Sequence, residues 1–203
     1  MRNVTKHSLS IAMGLALVVG AGSVAAEAPA AAENCVACHG ETGVSDDPMV
    51  PTIAGVGAFF LENQFAIYNE EARPCAGEGF ADHPAENHCT VVQELSEDEQ
   101  MALAEYYADQ DYQAYEQEFD SALAEQGEAI HEEQCARCHT AGGSEPFDDA
   151  GILAGQPIPY MMHQFELYKA NERWQPESMA EVMDLSEDEM KALAHYYAAE
   201  GLK

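Results

Sequence analysis

The stretch Cys35-Val36-Ala37-Cys38-His39 returns 100 residues later as Cys135-Ala136-Arg137-Cys138-His139. Each element of this Cys-x-x-Cys-His pattern has a separate chemical task in haem attachment. Two thiols on one helical turn can add to the two haem vinyl groups, and the adjacent histidine is then held beneath the iron as the proximal ligand. The pattern predicts two covalent haem c groups. The predicted attachment cysteines and proximal histidines are Cys35, Cys38, Cys135, Cys138, His39 and His139.

Two other uses of closely spaced cysteines compete with this interpretation: a thioredoxin-type dithiol and half of a zinc site. A dithiol does not require the histidine that follows the second cysteine. A zinc site does not require the whole surrounding region to be repeated. Haem attachment accounts for both features.

The agreement between the two halves of the chain extends well beyond the motifs. At the same offset, Ile53-Ala54-Gly55 matches Leu153-Ala154-Gly155, and Arg73 matches Arg173. The offset then drops to 90, because the first half has gained ten residues between Arg73 and Leu95. We predict two homologous domains, residues 27–112 and 113–203, with a polar linker over residues 109–120.

The pattern within each domain is helical. Apolar residues recur at helical spacing over 59–71 and 160–172. A helix over residues 122–135 is predicted to lead into the second motif, with a shorter equivalent over 30–35 before the first. No stretch alternates as a strand would. Each last helix opens with a capping box, Ser96-x-x-Glu99 or Ser186-x-x-Glu189. The predicted fold class is all-α, with two tandem domains. A domain of this size is marginal alone, and one haem supplies the core of each.

Residues 1–26 are predicted to be a secretory signal peptide, with Arg2 and Lys6 before an apolar run over 9–19 and small residues at its end. This run is shorter than the roughly 20 residues that a spanning helix needs, and no later segment is apolar enough. We therefore expect a periplasmic protein with no membrane span after cleavage. An uncleaved anchor is the competing hypothesis.

Acidic residues dominate the chain that follows the predicted signal. Residues 27–203 contain 37 Asp and Glu against six Lys and Arg, a formal charge of −31, compared with −29 for the whole sequence. This charge excludes nucleic acid as a natural partner. It suits either docking with a basic redox partner or adaptation to a salty medium, and the even spread of the acids favours the second hypothesis.

The distal iron ligand separates an electron carrier from a catalyst, because a Met thioether opposite histidine raises the potential and keeps substrates from the iron. In the second half, Met179 is the predicted ligand, since it lies in a loop before the last helix. Met183 competes but lies nearer that helix, and Met161 and Met162 are expected to pack in a core.

The first half has no matching methionine, and Cys89 stands at the corresponding position, preceded by His88. In an exported chain, Cys75 and Cys89 are expected first of all to form a disulfide. His88 or His83 could then bind the iron, whereas an unbridged Cys89 could bind as a thiolate. Met49 is a distant fourth candidate. We place His88 first.

Other repeated positions suggest supporting roles. Arg73 and Arg173 are predicted to pair with haem propionates. The carbonyl groups of Pro51 and Gly151 are predicted to accept a hydrogen bond from the proximal imidazoles. The tyrosines of the last helices are expected to pack on the haem or at the domain contact; they are Tyr106, Tyr107, Tyr196 and Tyr197.

The two motifs, together with residues 51–55, residues 151–156 and the Leu-Ser-Glu-Asp-Glu openings of the last helices, resemble the diheme class I cytochromes of the c4 type. The related cytochrome subunit of flavocytochrome c sulfide dehydrogenase is similar as well. The resemblance implies two class I domains packed about a pseudo-twofold axis, with propionates near the contact and electron transfer between the haems. It also implies a distal Met in both halves, which this chain lacks in the first.

Three functions follow from the resemblance. The first is a carrier that passes single electrons between redox proteins, such as an oxidase or a flavoprotein dehydrogenase, in a respiratory or sulfur-oxidising chain. The second is the cytochrome subunit of a flavocytochrome sulfide dehydrogenase. The third is a thiosulfate-oxidising enzyme whose first haem is ligated by Cys89. We expect a carrier rather than a catalyst, because two small domains leave few residues for a substrate pocket.

Overall fold

A computed structural model describes residues 27–75 and 87–203. The predicted signal peptide and His83 lie outside these residues. The all-α prediction is confirmed, since the described residues contain helices and no strand. The α-helices are α1 (Glu33–His39), α2 (Ala58–Asn69), α3 (His88–Gln93), α4 (Glu97–Ala108), α5 (Ser121–Ile130), α6 (Ile158–Lys169), α7 (Glu177–Ala180) and α8 (Glu187–Glu200).

Both predicted capping boxes are present. The Ser96 hydroxyl accepts the Glu99 N–H, and the Glu99 carboxylate accepts the Ser96 N–H at 2.9 Å. Ser186 and Glu189 form the same pair at the start of α8. The first turn of each helix is acidic, which complements the positive end of the helix dipole.

The two halves share their backbone hydrogen bonds as well as their sequence. The Gly43 carbonyl accepts the N–H groups of two successive residues at 2.8 and 3.1 Å, and the Gly143 carbonyl does the same at the same distances. A glycine is required at both places because φ is +85° at Gly43 and +79° at Gly143. The repeat thus gives both domains the same loop structure after the haem motif.

The approach to the second motif differs from the predicted continuous helix. The helix α5 ends at Ile130, and residues His131–Cys135 form a π-helical turn. This turn directs His131 into the core, where it is 1% exposed and its Nδ1 lies 3.0 Å from the Tyr197 hydroxyl. In the first domain a short 3₁₀ turn, Ala30–Ala32, leads directly into α1.

Each domain has a core centred on its last helix. Leu103 and Tyr107 of α4, like Leu193 and Tyr197 of α8, are at most 1% exposed. The linker over residues 110–120 forms no helix and runs along the second domain, where the Tyr112 hydroxyl donates to the Ala154 carbonyl at 2.5 Å. The proposed domain boundary at residues 112 and 113 falls inside this linker.

Buried hydrogen bonds join the two domains. The Gln156 side-chain oxygen accepts the Thr52 N–H at 3.0 Å, and its amide group donates to the Thr52 carbonyl at 2.8 Å. The Tyr160 N–H donates to the Pro48 carbonyl at 3.1 Å. Across the described ranges, every helix is too short or too polar to cross a bilayer.

Candidate functional site

Both Cys-x-x-Cys-His motifs border one cavity of about 1190 Å³ between the domains. Helices α2 and α6 cover it from the first and second domain, respectively, with mostly apolar side chains. The polar groups that reach it include the motif histidines, His88 and two arginines. A large apolar space with a few convergent polar groups has the character of a cofactor site.

The first motif lies on α1, and its histidine, His39, is the last residue of that helix. The His39 Nδ1 atom is 2.9 Å from the Pro51 carbonyl oxygen, as predicted. A carbonyl oxygen only accepts, so Nδ1 carries the proton and Nε2 keeps the lone pair that a metal requires. Burial lowers the pKa of His39, which favours this neutral form.

The second motif differs in the support of its histidine. The predicted contact between Gly151 and His139 is wrong, because His139 Nδ1 is buried without a hydrogen-bond partner among the described residues. Gly151 has φ of +69°, whereas proline at the matching position 51 is restricted to about −65°. The backbone at position 151 therefore differs from that at Pro51, whose carbonyl oxygen does contact its histidine. Burial lowers the pKa of His139 to about 4.

Cys75 and Cys89 form a disulfide, with their Cα atoms 5.2 Å apart. This pairing agrees with the expectation for an exported chain. Since the bridge occupies the Cys89 sulfur, the alternative with Cys89 as a thiolate ligand does not apply to this structure. The four motif cysteines are not in disulfides.

His88 begins the short helix α3, immediately before the bridged Cys89. Its ring centre lies 6.1 Å from that of His39, and the two ring planes are 84° apart. Burial lowers the pKa of His88 to about 3, and the neighbouring His39 and Arg73 act in the same direction. The structure thus brings two neutral imidazoles of the first domain to the same cavity. Met49 also borders it.

In the second domain, Met179 lies on the single-turn helix α7 rather than in a loop. It is partly buried, packs against the second-domain core and borders the cavity. Met183 borders the same space and is 6% exposed. Met161 is 3% exposed and packs in the core as predicted.

Four side chains form a symmetric group at the domain contact, which we call the arginine cluster: Arg73, Arg173, Gln64 and Gln164. Arg73 donates to the side-chain oxygen of Gln64 at 2.7 Å and to that of Gln164 at 3.3 Å. Arg173 donates to Gln164 at 2.5 Å and to Gln64 at 2.9 Å. Each arginine therefore binds one glutamine of each domain.

The two guanidinium groups are short of partners. Both Nε atoms are buried without a hydrogen bond, and neither group forms an ion pair with a carboxylate of the described residues. Each guanidinium carbon lies 4.6 Å from the centre of a tyrosine ring, Tyr68 for Arg73 and Tyr168 for Arg173. Arg173 is 5% exposed and Arg73 is half-buried, and positive charge held away from water is stabilised by an anion beside it.

The glutamines and tyrosines of this contact were not predicted as functional residues. The sequence did contain a signal for them, since Gln64 and Tyr68 match Gln164 and Tyr168 at the 100-residue offset on two helices rich in apolar residues. A polar residue repeated on two apolar faces indicates that the faces meet.

Comparisons with known proteins match a cytochrome family model to each half of the chain. Residues 25–109 match the family model "Cytochrome c", and residues 122–196 match "Cytochrome C oxidase, cbb3-type, subunit III". The chain consists of two cytochrome c domains. A search of curated proteins found no match.

Solved structures of diheme cytochromes have the same architecture. Cytochrome c4 of Acidithiobacillus ferrooxidans is 27% identical, with a TM-score of 0.67, and the match covers 82% of this chain and 99% of that one. Cytochrome c4 of Pseudomonas stutzeri is 25% identical, with a TM-score of 0.66 and coverage of 82% and 93%. This diheme cytochrome is therefore an electron carrier of the c4 type with two covalent haem c groups.

A thiosulfate dehydrogenase (TsdBA) from Marichromatium purpuratum has a similar fold, with a TM-score of 0.65 and 24% identity. The match covers 81% of this diheme cytochrome but only 36% of that chain. At this identity the similarity concerns the fold alone.

The residues around the cavity fit two haem groups. Paired cysteines border it at two places, each next to a neutral histidine. The unpartnered Nε atoms of the arginine cluster supply the positive charge that propionates require. When bound, a haem iron supplies reversible one-electron chemistry. The protein supplies attachment, axial ligands and a largely apolar surrounding.

Proposed function

We propose that this diheme cytochrome works in the periplasm, where it passes single electrons between redox proteins of a respiratory or sulfur-oxidising chain. The observation that carries the proposal is the single cavity that both haem motifs border, with the arginine cluster between the domains. This arrangement supports exchange of electrons between two nearby haems. The predicted signal peptide supports the location.

The proposed haem contacts follow the motif in each domain. Cys35 and Cys38 attach the first haem, and His39 is its proximal ligand. Arg73 and Arg173 pair with propionates, which would place an anion beside the two buried Nε atoms that have no hydrogen bond. In the second domain the corresponding residues are Cys135, Cys138 and His139.

His88 is the proposed distal ligand of the first haem. Two imidazoles on opposite sides of one metal ion place their ring centres roughly 6.4 Å apart, given metal–nitrogen bonds of about 2.0–2.1 Å. The 6.1 Å separation of His39 and His88 is close to this value. Met49 borders the same cavity and is the alternative ligand that the spectroscopy below tests.

Met179 is the proposed distal ligand of the second haem, because it borders the cavity from the short helix that precedes α8. The two haems would then be unequal. A thioether ligand raises the potential, so the second haem is expected to be reduced first.

Spectroscopy tests these ligands. The oxidised wild-type protein is expected to show one bis-imidazole and one His/Met signal in near-infrared magnetic circular dichroism. His88→Ala should lose the bis-imidazole signal, and added imidazole should restore it. Met49→Leu is the matched control and should leave both signals unchanged. Two His/Met signals in the wild type would overturn the assignment of His88.

Stopped-flow kinetics tests the carrier function. A basic mono-haem cytochrome in the reduced state should deliver two electrons to each oxidised chain, and the rate should fall as ionic strength rises because the partner charges are opposite. If the partner's potential is low enough to reduce both haems but each chain accepts only one electron from it, the proposed exchange between the haems is contradicted.

The cytochrome-subunit hypothesis remains the second proposal. Purification from the native host distinguishes it, since a tightly bound flavoprotein should co-elute with a subunit but not with a free carrier. The thiosulfate-enzyme hypothesis rested on a thiolate at Cys89, and the disulfide removes that support.

A further inference from the structure

The environment of His88 contains parts that the second domain lacks. The backbone N–H of His88 donates to the Cys75 carbonyl at 3.0 Å, and the next residue, Cys89, is bonded to Cys75 through a disulfide. His88 is therefore tied to Cys75 both directly and through its neighbour. The second domain has Gln175 and Met179 at the positions of Cys75 and Cys89, so it has no such bridge.

The helix that carries His88 depends on these ties. With six residues, α3 is far shorter than an isolated helix that is stable in water. The Asn87 side chain caps it by accepting the Thr90 N–H at 3.1 Å. Cys89 is 3% exposed and packs with Tyr68 and Val92 in a small core of its own. The disulfide is thus part of the packing that fixes the start of α3.

The Tyr68 ring packs against the face of the His88 imidazole. The rings of Tyr68 and His88 are stacked, with centres 5.0 Å apart and planes within 18°. The Arg73 guanidinium lies over the same tyrosine. Tyr168 and Arg173 repeat this arrangement in the second domain. The position that matches His88 there is Ser178, so Tyr168 has no corresponding imidazole to hold.

We propose that the Cys75–Cys89 disulfide and the Tyr68 ring are the positioning parts that keep His88 on the first haem iron. Opening the bridge exposes this coordination position to small iron ligands such as cyanide or carbon monoxide. The proposal rests on the proposed function, in which His88 is the distal ligand. It makes the first haem a protected electron-transfer centre whose closed state depends on the oxidised bridge.

The effect of the bridge should be measurable as ligand affinity. An external ligand binds only when His88 has left the iron, so its apparent affinity scales with the fraction of open sites. Without the bridge, Cys89 and the start of α3 are no longer tied to Cys75 through sulfur. We expect cyanide to bind the oxidised first haem at least about tenfold more tightly.

The experiment uses the haem-loaded full chain as wild type, Cys75→Ser/Cys89→Ser, Tyr68→Leu and Tyr168→Leu. Cyanide titrations are followed by visible absorption and near-infrared magnetic circular dichroism. The double serine variant and Tyr68→Leu should both bind cyanide more tightly at the first haem. Tyr168→Leu is the matched control, because its ring holds an arginine but no histidine, and it should match the wild type.

A second measurement keeps the test decisive if the serine variant does not load haem. The folded wild-type protein is reduced without oxygen, treated with dithiothreitol and exposed to carbon monoxide. One carbon monoxide per chain should bind after treatment and none before it, while His88→Ala should bind one without treatment.

The outcomes separate two failures. If the wild type has the bis-imidazole signal but opening the bridge changes neither cyanide nor carbon monoxide binding, the positioning role is overturned and His88 remains a ligand. Equal effects of Tyr68→Leu and Tyr168→Leu at the first haem would overturn the role of the tyrosine. If the wild type lacks the bis-imidazole signal, the assignment of His88 itself fails.

Discussion

Tyr107 and Tyr197 hold matching positions on the last helices, but their hydroxyl groups meet different surroundings. The Tyr197 hydroxyl lies 3.0 Å from Nδ1 of His131, whose side chain is 1% exposed. At the 100-residue offset the first domain has Ala31 in place of His131. A single difference between the repeats thus gives one domain a buried polar pair.

Tyr197→Phe is expected to lower the free energy of unfolding by about 1–3 kcal/mol, because it leaves a buried imidazole nitrogen without its partner. Tyr107→Phe is the matched control and should cost less than half as much, since no imidazole lies beside it. Denaturant unfolding of the haem-loaded proteins, followed by circular dichroism, measures both. Equal losses would show that the His131 contact contributes nothing.

At the scale of elements, the last helices are defined by their first turns and their packing. Both begin with the same capping box and three acidic residues. The second-domain helix α8 packs closely against α5, where Gly127 lies beneath the Ala192 carbonyl. The start of each last helix depends on neighbouring residues in the sequence. The close contact between α8 and α5 depends instead on tertiary packing.

Ser96→Ala and Ser186→Ala should each lower the free energy of unfolding by about 0.5–2 kcal/mol, because each removes an acceptor for a free N–H group of the first turn. The sites are in different domains, so the losses should add in the double variant. Thermal and denaturant unfolding provide the values. Ser121→Ala, at an exposed position that is not a cap, should stay within about 0.5 kcal/mol of wild type. A loss at only one cap would contradict the symmetry of the repeat.

Gly127→Ala should lower the free energy of unfolding by about 1–3 kcal/mol, since overpacking forces neighbouring groups to shift. The added Cβ would meet the Ala192 carbonyl and lie 2.7 Å from the Tyr196 Cβ. Glu125→Ala changes an exposed residue of the same helix and serves as the control. If Gly127→Ala is as stable as this control, the close approach of α5 and α8 is not required for stability.

The whole molecule depends on contacts that each domain cannot make alone. The Gln156 side chain is 3% exposed and forms hydrogen bonds with both the backbone N–H and the carbonyl of Thr52 in the other domain. The arginine cluster joins the same contact through side chains. We therefore expect the domains to unfold together in the wild-type protein.

Gln156→Val should weaken this coupling, because it leaves the buried Thr52 N–H and carbonyl groups without partners, at about 1–3 kcal/mol for each. Valine is the residue that the first domain has at the matching position, Val56. Calorimetry should show the single transition broaden or separate into two. Gln126→Val, on the exposed face of α5, should leave a single transition. Separate transitions in the wild type would contradict the prediction.

The sequence determined the haem motifs, the repeat, the helical class and both capping boxes, because these depend on residues close together in the chain. Local spacing also placed His39 near Pro51. Local spacing did not predict the π-helical turn at His131, nor that the Gly151 carbonyl makes no hydrogen bond with His139. Packing and backbone conformation decide both features.

Only the tertiary structure decided which groups meet across long separations. It placed the ring centres of His39 and His88 6.1 Å apart and joined Arg73 to Gln164 through a hydrogen bond. It also showed that Cys75 and Cys89 form the expected disulfide. Sequence repeats identify equivalent positions, but the distance between two such positions depends on how the helices pack. For that reason the sequence predicted haem attachment and a first site without a matching Met, while the groups that surround each site became visible in the folded chain.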